Sequence, residues 1–223
     1  MKNKKAIALM WLLSLLPFLL VALFWNRMPE LVPIHWNAAG QVDNYASKSF
    51  LWWLCVISPV MALLLQFLPR LDPKKKNYEK FQNLYDLVAI SLPCITVFVM
   101  GITIAEAINP GGLKVGRLIM GFLSLLFMFL GNLMGKIKTN WFMGIRTPWA
   151  LSDPDVWNKT NRMGGRVFFL AGLVTLPLCL FVPAEMEGLM IAAMLGIMLV
   201  GTAATYIMSW KWFQDKKDQH KED

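Results

Sequence analysis

Six apolar runs, each long enough to cross the roughly 30 Å hydrocarbon core of a bilayer as a helix, constrain this 223-residue chain more than any other feature. They fall near 6–25, 50–68, 84–108, 113–134, 167–182 and 189–210. With 57% hydrophobic and 16% charged residues, the chain has too little polar surface to stay dissolved as a soluble domain of this length. The expected fold is therefore all-α, a polytopic membrane helix bundle with six transmembrane helices. The first run follows Lys2, Lys4 and Lys5, but its apolar core is too long for a signal sequence. No pair of small residues follows it for cleavage, so it is read as a span. Pro17, Pro59, Pro93 and Pro177 fall inside spans, where neighbouring helices can cover the missing N–H, and kinks are expected there.

A net charge of +8 would suit nucleic acid if it were clustered on a soluble face, but the positions of the cations point to a membrane instead. Lys2, Lys4 and Lys5, the second loop (Arg70, Lys74, Lys75, Lys76, Lys80), the fourth loop (Lys136, Lys138, Arg146, Lys159, Arg162, Arg166) and the tail (Lys211, Lys216, Lys217, Lys221) would share one side. The other side keeps Arg27, Lys48, Lys114 and Arg117, and its PAEMEG loop has no cation. Both termini are expected in the cytoplasm, N-in and C-in, with no direct contact to nucleic acid. Tryptophans form two belts in this layout: Trp25, Trp36, Trp52 and Trp53 at the outer boundary, and Trp141, Trp149, Trp157, Trp210 and Trp212 at the inner one.

The spans are poor in chemistry. Asp86, Glu106 and Arg117 lie near span ends and are read as boundary residues with wetted heads. Cys55, Cys94 and Cys179 lie within spans and are read as small packing groups. His35 and His220 stand apart from any cluster with metal-ligand spacing, and no nucleophile elbow, zinc-protease, phosphate-loop or dinucleotide motif occurs. No catalytic residue, metal site or cofactor is nominated. A lipid-modifying or cell-wall enzyme would need Lys138 and Arg146 to bind phosphate, and it would lack a base.

Two polar segments carry the information. The first outer loop, RMPELVPIHWNAAGQVDNYASKS, has Pro29 and Pro33 favouring extended backbone and Gly40 permitting a turn after Asn37. It is expected to be ordered, with His35, Trp36 and Asn37 either forming a recognition surface or plugging the helix ends. The fourth loop, 131–166, reads GNLMGKIKTNWFMGIRTPWALSDPDVWNKTNRMGGR. Within it, Ser152 with Asp155 suggests a capping box that starts an interfacial helix, with Asp153 and Pro154 in its first turn. Along that helix Lys159, Arg162 and Arg166 share one face, suited to anionic membrane lipid, and Trp157, Thr160, Asn161 and Gly164 share another. Trp157 would sit at the headgroup boundary. GIRTPW reads as a turn presenting the donor-rich Arg146, within a polar cluster denser than lipid anchoring requires.

These residues resemble the signature of the SdpI family of bacterial membrane proteins. Gly131, Asn132, Gly135, Lys138, Asn140, Phe142, Gly144, Ile145, Arg146, Thr147, Pro148, Trp149, Leu151, Trp157, Thr160 and Arg162 stand where that pattern expects them. The family often has His at the place of Asn161, which argues against proton transfer there. MPELVPIHWNAAGQVDNYASK resembles the domain of unknown function that often precedes the signature, through Pro33, His35, Asn37 and Gly40. The tail beyond Trp212 resembles nothing in either pattern.

The resemblance implies a two-span unit over 1–70 and an SdpI-like four-span unit over 71–223. It also implies an immunity protein of the bacterial cell membrane that protects a producer from its own antimicrobial peptide toxin. Such proteins also signal by holding a winged-helix autorepressor of the ArsR type at the membrane. By the same resemblance Asn132, Gly135, Lys138, Asn140, Gly144, Arg146, Thr147, Pro148, Trp149, Trp157, Thr160 and Arg162 would form the partner-binding surface, with Pro33, His35, Trp36, Asn37 and Gly40 in the outer loop. A small permease or exporter of peptide or lipid is the alternative, weakened by the lack of buried charge and of an ATP-binding segment.

Overall fold

A computed structural model describes residues 3–183 and 186–222, with side chains to 219. Lys2, Ala184 and Glu185 of the fifth loop, and the side chains of His220 and Lys221, lie outside the described residues. Among those described are the helices α1 (Lys4–Phe24), α2 (Phe50–Leu71), α3 (Gln82–Ile108), α4 (Val115–Met134), α5 (Pro148–Ser152), α6 (Pro154–Phe181) and α7 (Glu187–Glu222). The strands β1 (Leu31–Trp36) and β2 (Val42–Ser47) lie between α1 and α2. All the helices but the short α5 are long and apolar enough to span a membrane, six in all among the described residues. The expected helical membrane bundle is the fold observed. The helices run through Pro17, Pro59, Pro93 and Pro177. The chain divides into two compact units, Met1–Pro69 with Tyr85–Ile119, and Arg70–Leu84 with Met120–Asp223.

In the first unit, size and polarity decide which face of each helix turns inward, because nearly every residue is apolar. Ala6, Met10, Ser14, Pro17 and Val21 are buried on α1, at spacings of three and four, while Leu12, Leu15, Leu19 and Leu23 are exposed. On α2 the buried face is Leu51, Cys55, Ser58, Ala62 and Leu65. The buried faces gather the small and hydroxylated Ala6, Ser14, Cys55, Ser58 and Ala62 among a few large residues, and leucine is left outside because lipid solvates it as well as a protein core does. Two side-chain bonds tie this unit together: Trp11 Nε1 donates to Gln66 Oε1 at 2.9 Å, and Thr96 Oγ1 to Ser58 Oγ at 2.8 Å.

The outer loop is an antiparallel hairpin, a small β element in an otherwise helical chain. Its register pairs Leu31 with Ser47, Val32 with Ala46 and Pro33 with Tyr45, then breaks at bulges on either side of His35. Pro33 has no N–H to give a ladder, and bulged two-stranded ribbons are where proline is tolerated. Val32 is fully buried in a core with Val21, Met28, Leu51, Cys55, Met100, Ile104 and Ala107. The tip is closed by Asn37, whose Oδ1 accepts from the N–H groups of Ala39 at 2.9 Å and Gln41 at 3.0 Å, and by Gly40 at φ 72°.

Asp86 and Glu106 correct the sequence reading, since neither head is wetted and both residues are only 4% exposed. Glu106 is buried because it closes the turn after α3. Its two oxygens accept from the N–H groups of Gly111 at 2.9 Å and Leu113 at 2.8 Å, bonds that offset the lost hydration of the carboxylate.

In the second unit α4 and α6 cross where glycines face each other. A methyl group on Gly131 would stand 2.5 Å from the Gly165 carbonyl oxygen and 2.6 Å from the Phe169 nitrogen, so only hydrogen fits there. Gly131 and Gly135 are spaced as a small-xxx-small pair, which brings backbones close in a medium that gives no hydrophobic drive between helices. Met120, Cys179, Met190 and Met194 form a further core in this unit.

Candidate functional site

The connector from Gly135 to Thr147 is irregular in backbone yet densely bonded, and its fixed points are two buried asparagines and one buried tryptophan. Asn140 is fully buried. Its Oδ1 accepts from Phe142 N at 2.9 Å and Met143 N at 2.7 Å, and its Nδ2 donates to the carbonyls of Lys138 at 2.9 Å and Met143 at 3.2 Å. One amide thereby satisfies a turn that has no helix or strand to do so.

Asn161 plays the same part from α6. It accepts from Ile145 N at 2.8 Å and donates to Ile145 O at 3.3 Å and Trp157 O at 3.1 Å. Gly144 takes φ 91° beside it, and a side chain there would collide with the Asn161 amide.

Trp157 is fully buried, and its Nε1 donates to the Ile137 carbonyl at 2.8 Å. Its indole therefore faces the protein interior and not the lipid headgroups that its place in an aromatic belt suggested, and it bolts the connector to α6. Thr147 caps α5 through a bond from Ala150 N at 3.0 Å, and its hydroxyl lies 2.6 Å from Ser209 Oγ. Thr160 Oγ1 donates to the same Ser209 at 2.9 Å, so α5, α6 and α7 share one buried hydroxyl chain.

The second loop completes this structure. Asp72, 2% exposed, accepts from Lys74 N at 2.7 Å, Tyr78 Oη at 2.9 Å and Trp141 N at 2.8 Å. Asn77 Nδ2 donates to the Thr139 carbonyl and Lys74 Nζ to the Leu151 carbonyl, each at 2.8 Å. Asp72 and Asn77 were missed in sequence. The only available signal was an acidic residue immediately after an apolar span, before a lysine run, and its distant partner, Trp141, lies 69 residues away.

Helix α6 starts one residue later than the expected capping box. Asp153 is its N-cap, accepting from Asp155 N at 2.8 Å and Val156 N at 3.0 Å, with Pro154 at the first helical position. Ser152 instead ends α5, its Oγ donating to Trp149 O at 2.9 Å. A carboxylate outcompetes a hydroxyl for the unbonded N–H groups at a helix start, where the dipole favours negative charge. Lys216, from the tail that matched no pattern, reaches the carboxylates of Asp153 and Asp155 at 2.7 Å each. Burial by itself would raise the Asp153 carboxyl, but the Lys216 bond, with the two backbone N–H groups, outweighs it and holds the group below its ordinary value.

The signature residues thus separate by exposure. Asn140, Thr147, Trp157 and Thr160 are buried and build the connector, so they act on any partner only through its shape. Asn132, Lys138, Arg146, Pro148 and Arg162 are exposed. Trp149 is half-buried, edge-on to Tyr206 with ring centres 5.1 Å apart, and Gly135 is half-buried against Arg162. Arg146 is held by a bond from one guanidinium nitrogen to the Trp141 carbonyl while its head stays exposed. In the hairpin, His35 and Asn37 are exposed, and His35 Nδ1 lies 2.6 Å from Asp43 Oδ1. Pro33 is buried, and Trp36 and Gly40 are half-buried. Among the described residues no three His, Cys, Asp or Glu side chains gather as metal ligands.

Six spanning helices with a folded, cation-bearing connector and a bulged hairpin define a class of multi-pass membrane protein that presents ordered surfaces outside its helices. Residues 136–209 match the SdpI/YfhL protein family, and residues 12–58 match a domain of unknown function, DUF1648. The chain thus resembles the SdpI family over its connector and last two spans, and DUF1648 over its first span, its hairpin and the start of its second span. It is similar to the Immunity protein SdpI of Bacillus subtilis (strain 168), 24% identical over 192 residues that cover 86% of this chain and 89% of that protein. No solved structure matches it.

Proposed function

We propose that this chain is an immunity protein of the bacterial cytoplasmic membrane, protecting its cell from a secreted antimicrobial peptide toxin. Its similarity to an immunity protein along almost the full length of both chains carries this reading. In this reading the N-in, C-in arrangement given by the lysine and arginine asymmetry puts the connector in the cytosol and the hairpin outside. The hairpin and kinked spans meet the amphipathic peptide. The exposed Lys138, Arg146 and Arg162 offer a cytosolic partner, a winged-helix repressor, a cationic docking surface set on a rigid base. Toxin binding reports inward only if it favours one of two arrangements of the bundle, a shift set by differential affinity.

The test is deletion of the gene followed by challenge with a membrane-active peptide. Hypersensitivity without altered solute uptake is expected, and Arg146→Ala should fail to restore protection although the variant inserts at normal abundance. Full resistance in that variant would remove Arg146 from the site. A deletion strain with normal resistance and impaired uptake of peptide or lipid would favour a permease.

A further inference from the structure

The cationic face of α6 does not act as one stripe. Lys159 and Arg162 border a groove toward α7 with Asp155, Asp215 and Lys216, where carboxylates accompany them. Arg166 turns the other way, into a groove of about 660 Å³ between α4 and α6, lined by Asn132, Lys136, Arg162, Phe169 and Leu170 over a floor of Gly131, Gly135 and Gly165. Three cations and no carboxylate line it. Lys136, Arg162 and Arg166 are all exposed, and among the described residues none of them makes an ion pair.

We propose that this groove binds one anionic glycerophospholipid, its phosphodiester held by Lys136, Arg162 and Arg166 and its acyl chain laid against Phe169 and Leu170. Charge and depth together select this occupant. From Arg162 to Leu170 the helix advances about 12 Å, the interval from a headgroup to the upper acyl region. Phe169 and Leu170 are respectively 36% and 50% exposed, within a span of the membrane. A soluble phosphate would use the cations and leave that apolar wall without a purpose. The glycine floor has no side chain between the helices, so a headgroup can approach the backbone. The carbonyl end of α4 opposes an anion with roughly half a charge, which three cations outweigh. Guanidinium forks pair with phosphate oxygens two at a time, so two arginines favour phosphate over a diffuse counterion layer. Arg162 also belongs to the docking surface of the immunity reading, but the test uses purified protein without toxin or repressor, so its failure leaves that reading standing.

The experiment uses the full chain in a non-ionic detergent, with thermal stability and native mass spectrometry as readouts. The probes are phosphatidylglycerol, phosphatidylcholine, and inorganic phosphate at matched concentration. Phosphatidylglycerol should raise the melting temperature and remain as a single adduct, with a preference over phosphatidylcholine that falls by more than about tenfold in R162Q/R166Q. R162K/R166K, which keeps the charges and loses the bidentate forks, should keep only part of the preference, and K159Q should keep all of it. K136Q repeats the test at the α4 wall if the double variant does not fold. Equal stabilisation by both lipids, an undiminished preference in R162Q/R166Q or K136Q, or an equal loss in K159Q would overturn the proposal. So would reproduction of the shift by inorganic phosphate alone, which would assign the groove to a free anion.

Discussion

Asn161 shows how much one side chain carries here. Its amide bonds both backbone groups of Ile145 and the carbonyl of Trp157, so truncation leaves donors and acceptors inside the protein without water to replace them. Asn161→Ala should cost about 1–3 kcal/mol, read as a lowered melting temperature in detergent. The loss should concentrate in the connector, as faster hydrogen exchange at residues 140–147 than in α1. Unchanged exchange there would mean that the turn holds itself. The sequence placed Asn161 on the correct helix face beside Trp157 and Thr160, because period alone decides that. It did not show that Trp157 points inward to a carbonyl 20 residues earlier. The same indole suits a lipid boundary or a buried hydrogen bond equally well.

At the scale of elements, the α4–α6 crossing rests on hydrogen atoms at Gly131 and Gly165. Gly131→Ala should force the helices apart at a cost of about 1–3 kcal/mol, whereas Gly121→Ala, with open space around its would-be methyl, should be near neutral. Comparing their melting temperatures decides whether close packing or only composition placed glycine there. The junction of α7 with the start of α6 behaves differently, because it is electrostatic. The Asp153 carboxyl is held below its ordinary value, so its stabilising effect is complete above about pH 4 and is lost as the pH falls through the depressed value. Residues 211–219 should therefore gain hydrogen exchange or protease sensitivity near pH 3 relative to pH 7, and Lys216→Ala should reproduce that gain at neutral pH. Spans and helix ends were legible to within a few residues except at α7, which runs on to Glu222 where the apolar run ends near 210. The hairpin was legible only as an ordered loop, since Pro33 and two bulges interrupt the alternation that marks strands.

At the scale of the whole molecule, the proposed orientation makes a direct prediction. Single cysteines replacing Lys138 and Asn37, in a chain whose own Cys55, Cys94 and Cys179 are changed to alanine, should label oppositely in intact cells. A membrane-impermeant thiol reagent should reach position 37 from outside and position 138 only after permeabilisation. The reverse pattern would invert the bundle and move the cationic connector away from any cytosolic partner.

The sequence by itself determined the solvent of this protein, the number of its spans and the segment that resembles the SdpI signature. Those properties follow from apolar length, cation placement and local spacing, all of which are one-dimensional quantities. Only the tertiary structure decided which signature residues build the connector and which it presents. The reason is that burial at Asn140, Trp157 and Asp72 depends on partners up to 69 residues away. It also sent Lys159 and Arg166 to different grooves, with Arg162 bordering both, because helix neighbours, and not the helix itself, determine which carboxylates lie within reach.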